Sequence, residues 1–164
     1  MERSDVLRNA IDTILKELTS GSSESGGWVL NPRDAGLLGS LDRVSAEEAS
    51  TVPPHGTSSV AAHVDHLRYG LSLLNRASAG ENPFLEADWS AAWRNNQVSD
   101  TEWVRLRAGL AEEAHKWRHN FEALVDAGEM ELTGVLASAA HLAYHLGAIR
   151  QIIPSTRGPA EGSQ

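Results

Sequence analysis

Residues 132–153 read LTGVLASAAHLAYHLGAIRQII, a stretch in which the only charged side chain is Arg150. Val135, Leu136, Ala139, Leu142, Ala143, Leu146, Ile149, Ile152 and Ile153 leave almost no polar face when wound at 3.6 residues per turn. The pattern predicts a helix from about Thr133 to Pro154, placed at the centre of a helical bundle or at a subunit interface. Its uncharged part, Leu132 to Ile149, approaches the roughly 20 residues that cross a bilayer. Thr133, Ser138, His141 and His145 interrupt it, and alanine dominates the remainder. It therefore reads as a buried helix of a soluble bundle, with no membrane partner.

Three further helices follow from the same periodicity. Ser4 is placed to cap a first helix bearing Val6, Leu7, Ile11, Ile14, Leu15 and Leu18, which the Ser/Gly run 20–27 ends. A second, capped from Thr57–Ser59, carries Val60, Val64, Leu67, Leu71 and Leu74 and stops before Gly80. A third runs from Ser99 or Thr101 to Val125, with Trp103, Leu106, Leu110, Trp117, Phe121 and Leu124 on one stripe and charge on the opposite face. Asn31-Pro32 has the form of an N-cap with Pro at the first helical position, opening a short helix through Leu37, Leu38 and Leu41. Ser45 and Glu48 have capping-box spacing, and a turn is expected around Trp89 to Trp93. No strand alternation, internal repeat or sustained heptad is present. These elements predict an all-α fold, a four-helix bundle with short extra helices in its long connections. One domain is expected over residues 1–154, with a flexible tail at 155–164.

Composition narrows the function. The chain has 164 residues, 41% of them hydrophobic, enough for one core without covalent staples. With 14 basic against 22 acidic residues, the net charge is −8, and no basic patch is present to neutralise phosphates, which argues against nucleic acid and anionic membrane surfaces. The absence of cysteine leaves only nitrogen and oxygen donors for a metal. The polar start Met1-Glu2-Arg3-Ser4-Asp5 is unlike a signal peptide, so a cytoplasmic location is expected.

Six of the seven histidines fall in three groups: His63 with His66, His115 with His119, and His141 with His145. Residues four apart on a helix lie about 5–6 Å apart at Cβ, close enough for two imidazoles to share one ion. His115 and His119 lie opposite the apolar stripe of their helix, among Glu112, Glu113, Lys116 and Arg118, and read as solvated. His141 and His145 share a face with Gly134, Ser138, Ala148 and Ile152, where buried rings need partners for both nitrogens. Either His63 or His66 is placed to face them from the second helix. Three histidines from two helices would make a site with an open position for water or substrate.

The stretches Ser59-Val60-Ala61-Ala62-His63-Val64-Asp65-His66-Leu67 and His141-Leu142-Ala143-Tyr144-His145-Leu146-Gly147-Ala148-Ile149 resemble the DinB/YfiT-like superfamily. The resemblance covers most of the chain. It implies a bundle in up-down-down-up order, often dimeric, with a divalent metal, usually zinc or nickel, held by one histidine of helix two and an HxxxH of helix four. Matched by position, the ligands are His66, His141 and His145. His63 then stands where the family is usually apolar, as an outer support or an alternative ligand, and Ala148 stands where many members have Gln. Characterised relatives include thiol-dependent S-transferases and isomerases. The resemblance thus implies a metal-dependent enzyme of S-transferase type, acting on a small molecule with a low-molecular-weight thiol as cosubstrate. A metal-dependent hydrolase and a non-catalytic metal- or ligand-binding stress protein are the alternatives. No general base stands out in the sequence. Asp65 and Glu113 lie one residue off the faces required, and Tyr69, one turn beyond His66, suits either a site hydrogen bond or the bundle surface.

Overall fold

The computed structural model describes residues 3–94 and 96–160, and in these the chain is all-helical. Four long helices carry the architecture: α1 (Arg3–Ser20), α4 (Val60–Ser78), α5 (Asp100–Asn120) and α7 (Glu129–Ile152). Short helices α2 (Gly36–Leu41) and α3 (Ala46–Ala49) fill the first connection, and α6 (Glu122–Val125) follows α5. Single 3₁₀ turns occupy Pro83–Glu86, Ala92–Arg94 and Pro154–Thr156. The long helices touch in a ring, α1 to α7, α7 to α4, α4 to α5 and α5 to α1.

Side-chain pairs give their directions. The early α4 residues His63 and His66 meet the late α7 residues His145 and His141, so these two helices run antiparallel. Asn75, late in α4, donates to the backbone oxygen (3.0 Å) and carboxylate (2.8 Å) of Glu113, late in α5, so that pair runs parallel. Arg118, near the end of α5, holds Asp12 of α1 at 2.8 Å, and Arg8 of α1 pairs with Asp126 just before α7. Leu15, Leu18, Leu37, Leu41, Leu67, Leu110, Trp117, Phe121, Leu142 and Ile149 form the centre, each no more than 1% exposed. Two tryptophans of the wider core keep their N–H groups satisfied. Trp103 donates to the Val44 carbonyl at 2.7 Å, and Trp117 to Ser138 Oγ at 2.8 Å.

The expected caps at Ser45 and Ser59 form, the first as a full capping box with Glu48. Four boundaries differ from the sequence reading. Ser4 lies within α1. Asn31-Pro32 starts no helix, because Arg33 adopts a positive φ (62°), and α2 begins only at Gly36. The third long helix is interrupted at Phe121. The last begins at Glu129, one turn before Thr133, where Glu129 and Glu131 complement the N-terminal end of the helix dipole. α7 is long and apolar enough to cross a membrane by length and composition, a property shared with core helices of globular proteins. Its inner stripe of Val135, Ser138, Leu142, His145, Leu146 and Ile149 is buried.

The tail was expected to be flexible for want of apolar anchors; residues 161–164 of that expectation lie outside the described residues. Residues 155–160 are held by polar contacts. Thr156 is buried, Arg157 donates to the Arg150 carbonyl at 3.2 Å, and Asn31 Nδ2 donates to the Pro159 carbonyl at 2.8 Å.

The connection after α1 folds around a buried carboxylate. Glu17 accepts the backbone N–H groups of Trp28 (2.8 Å), Val29 (2.7 Å) and Leu30 (2.6 Å), and the residue is 5% exposed. Gly27 passes so close to this carboxylate that a Cβ there would collide with it. Glu17→Gln exchanges one acceptor oxygen for a donor facing N–H groups, and is expected to cost about 1–3 kcal/mol in urea unfolding. A cost below about 0.5 kcal/mol would refute the role.

Candidate metal centre

Helical register brings the histidines together. His63 and His66 are one turn apart on α4, and His141 and His145 one turn apart on the facing stretch of α7. His145 Nε2 lies 2.8 Å from His141 Nε2, and His66 Nε2 lies 3.2 Å from the same atom. One nitrogen from each of His66, His141 and His145 falls within 4.8 Å of the others, as a shared ion requires. His63 is outside this set: its Nδ1 instead meets His145 Nδ1 at 2.8 Å. His66 and His145 are buried, and His63 and His141 half-buried.

The three converging nitrogens fit a cation better than they fit one another. A neutral imidazole nitrogen carries either one hydrogen or one lone pair, and His141 Nε2 must divide it between two partners. Nitrogens bound to one ion at 2.0–2.1 Å lie about 2.9–3.4 Å apart, close to the spacings seen. His66 Nδ1 is buried with no hydrogen-bond partner, so the ring is not held there by its outer nitrogen.

Burial also keeps the donors unprotonated. It is the main cause lowering His66 to about 4, reinforced by His141 and His63 and opposed by Asp65. His145 is lowered to about 3, again chiefly by burial and then by His141, His63 and His66. Burial lowers His63 and His141 as well. At neutral pH all four rings are neutral, the state in which a histidine nitrogen binds metal.

The cluster opens onto a cleft of about 670 Å³. Pro53, Gly56, Thr57 and Ser58 from the α3–α4 connection line one side, and Trp93, Tyr144 and Ile152 close the others. Among the described residues, no charged side chain lines it. Trp93 is the residue the sequence reading missed. Its ring lies against His66 (centroids 4.6 Å), faces His145 (6.0 Å) and meets His63 edge-on (5.2 Å). A Trp in a turn-rich linker was the only sequence signal.

The remaining candidates take structural roles. Asp65 pairs with Arg68 at 2.8 Å, and Glu113 accepts from Asn75. Tyr69 OH accepts from the Asp88 N–H at 3.1 Å, and its ring abuts Trp89, so it braces the 79–99 connection. His115 and His119 are exposed, as their helix face predicts. Ala148 is half-buried one turn beyond His145.

Fold and site together define an all-helical protein with a three-histidine cluster at the base of an uncharged cleft. Comparison with protein-family profiles, curated proteins and solved structures finds no match for the chain.

Proposed function

We propose that the chain is a divalent-metal-binding protein of the DinB/YfiT-like type, holding zinc or nickel through His66, His141 and His145. The convergence of these three nitrogens from two helices carries the reading. The helix directions support the up-down-down-up bundle that goes with it: α4 antiparallel to α7, α4 parallel to α5, and the first half of α1 beside the end of α5 and the segment after it, through Asp12–Arg118 and Arg8–Asp126.

The activity we propose is transfer to or from a low-molecular-weight thiol. A bound divalent ion supplies Lewis acidity that keeps a thiol deprotonated near neutral pH. The chain itself has no cysteine, so the sulfur nucleophile comes from the cosubstrate. Trp93 covers the histidine rings and limits water there. Thr57, Ser58 and Tyr144 offer hydroxyls at the cleft wall for orienting a polar substrate. Hydrolysis through a metal-activated water is the second reading. Among the described residues no acidic side chain lines the cleft to take the water's proton, which favours the thiol chemistry.

Elemental analysis of tag-free protein purified without chelator tests the metal. Near-stoichiometric zinc or nickel is expected in the wild type and in His115→Ala, and a loss of at least tenfold in His66→Ala, His141→Ala and His145→Ala. Wild-type protein that neither contains nor takes up either metal would overturn the proposal.

A cytoplasmic homodimer completes the reading. The outer face of α7 presents Met130 (79% exposed), Leu136 (51%), Ala137, Ala140, Tyr144 (70%) and Gly147, with no charge among them. A helix face of that kind is suited to a second copy of itself. Sedimentation at micromolar concentration is expected to show a dimer that Leu136→Glu converts to monomer. A wild-type monomer would refute it.

A further inference from the structure

His63, expected as an outer support or an alternative ligand, stands outside the three converging nitrogens, yet among the described residues it makes the one imidazole contact to the outer nitrogen of a proposed ligand. Its Nδ1 lies 2.8 Å from His145 Nδ1, while His145 Nε2 points to the cluster. For His145 to offer Nε2 as a lone pair, its proton must sit on Nδ1 and be given to an acceptor. The acceptor within reach is His63 Nδ1. The His63 ring is in turn fixed by Trp93, whose plane meets it at 85° with centroids 5.2 Å apart. His66, by contrast, has its Nδ1 buried without a partner, so the outer support of the site rests on one side.

We infer that His63 is a positioning residue that accepts the Nδ1–H of His145, fixing the tautomer and ring orientation in which His145 presents Nε2 to a metal. The inference rests on the metal reading above for its consequence, but the hydrogen bond itself exists without metal. Outer-shell partners of this kind set both the orientation and the basicity of a metal-binding imidazole, and their loss costs roughly 10–100-fold in metal affinity. The sequence position follows simply: His63 lies one turn before His66, so one helix supplies a proposed ligand to the ion and an orienting acceptor to the ligand from the opposite helix.

Two variants test it. His63→Leu keeps similar bulk and removes the acceptor. His63→Asn places Oδ1 close to where Nδ1 stood and restores an acceptor. Two readouts are taken: the protonated nitrogen of His145 by ¹⁵N–¹H NMR of the metal-free protein at one fixed pH, and zinc affinity by competition with a chromogenic chelator. In wild type, His145 is expected as the Nδ1–H tautomer. His63→Leu should give a tautomer mixture and a 10–100-fold weaker zinc affinity, and His63→Asn should recover most of both.

A His63→Leu variant that keeps the Nδ1–H tautomer and binds zinc within threefold of wild type would overturn the inference. So would complete loss of zinc in both His63 variants with retention in His66→Ala, which would make His63 a ligand. If wild type takes up no zinc, the metal reading fails, and the tautomer comparison still decides whether His63 orients His145.

Discussion

Asp34→Ala is expected to lower the unfolding free energy by about 3–5 kcal/mol, the range for breaking a buried ion pair from one side. The Asp34 side chain is 2% exposed and that of Arg150 15% exposed, and they meet at 2.6 Å. Asp34 Oδ1 also accepts the Gly36 N–H at 2.8 Å, and Gly158 lies too close to the carboxylate to carry a side chain. Removing the carboxylate strands a guanidinium whose Nε already lacks a partner. Its other nearby acceptor, Ser40 Oγ, stands at 3.4 Å, too far to compensate. The pair joins α7, five residues beyond His145, to the connection between α1 and α2, so it helps fix where α7 sits. Replacing both partners with apolar residues, as in Asp34→Ala with Arg150→Met, should recover part of the loss, because no unpaired charge remains. Urea unfolding of the three proteins checks this. A single-variant cost below about 1 kcal/mol would show that water reaches the arginine and the pair is unimportant.

That ion pair also marks the boundary of what could be read from the sequence. Elements and interactions set by local spacing were legible: the four long helices from their apolar periodicity, the caps at Ser45 and Ser59, and the proposed ligands His141 and His145 from a four-residue interval on an uncharged face. His66 against His63 was not decidable from α4 alone, since both lie near its apolar stripe. The choice depends on which ring meets α7, a contact spanning 75 residues. Asp34 and Arg150 are 116 residues apart, and nothing near either one announces the other. Trp93 looked like a linker aromatic because its partners are the rings of two distant helices. Asn31 looked like a cap because its residue type suits one, whereas its amide is used across 128 residues on the tail carbonyl of Pro159. Local rules failed where a polar group found a distant partner.

The largest effect on the site is expected from metal itself. Saturating zinc should raise the unfolding free energy of the wild type by about 2.7 kcal/mol at one hundred times its dissociation constant, since an ion that binds only the folded state stabilises it by mass action. His145→Leu should lose this gain entirely, because it removes a donor that is 2% exposed and cannot be replaced from solvent. The stability of the metal-free fold must also depend on pH, and the sign follows from the histidines. In the folded state His66 and His145 are lowered to about 4 and about 3, against an ordinary 6.5 when unfolded. The neutral rings therefore favour the fold fully above about pH 6.5. That contribution is lost as pH falls from there toward the folded-state values, because the unfolded chain takes up protons first. Zinc competes with protons only for the folded nitrogens, which take them up near about 4 and about 3, so its benefit holds at pH 5.5 and shrinks only as pH approaches those values. Unfolding midpoints at pH 8 and pH 5.5, each with and without zinc, separate the two effects. Metal-free protein should be less stable at pH 5.5, while the zinc increment should be nearly unchanged there, because the folded ligands are still neutral. A wild-type midpoint at pH 8 that zinc leaves unchanged would mean that the three imidazoles hold one another and no ion.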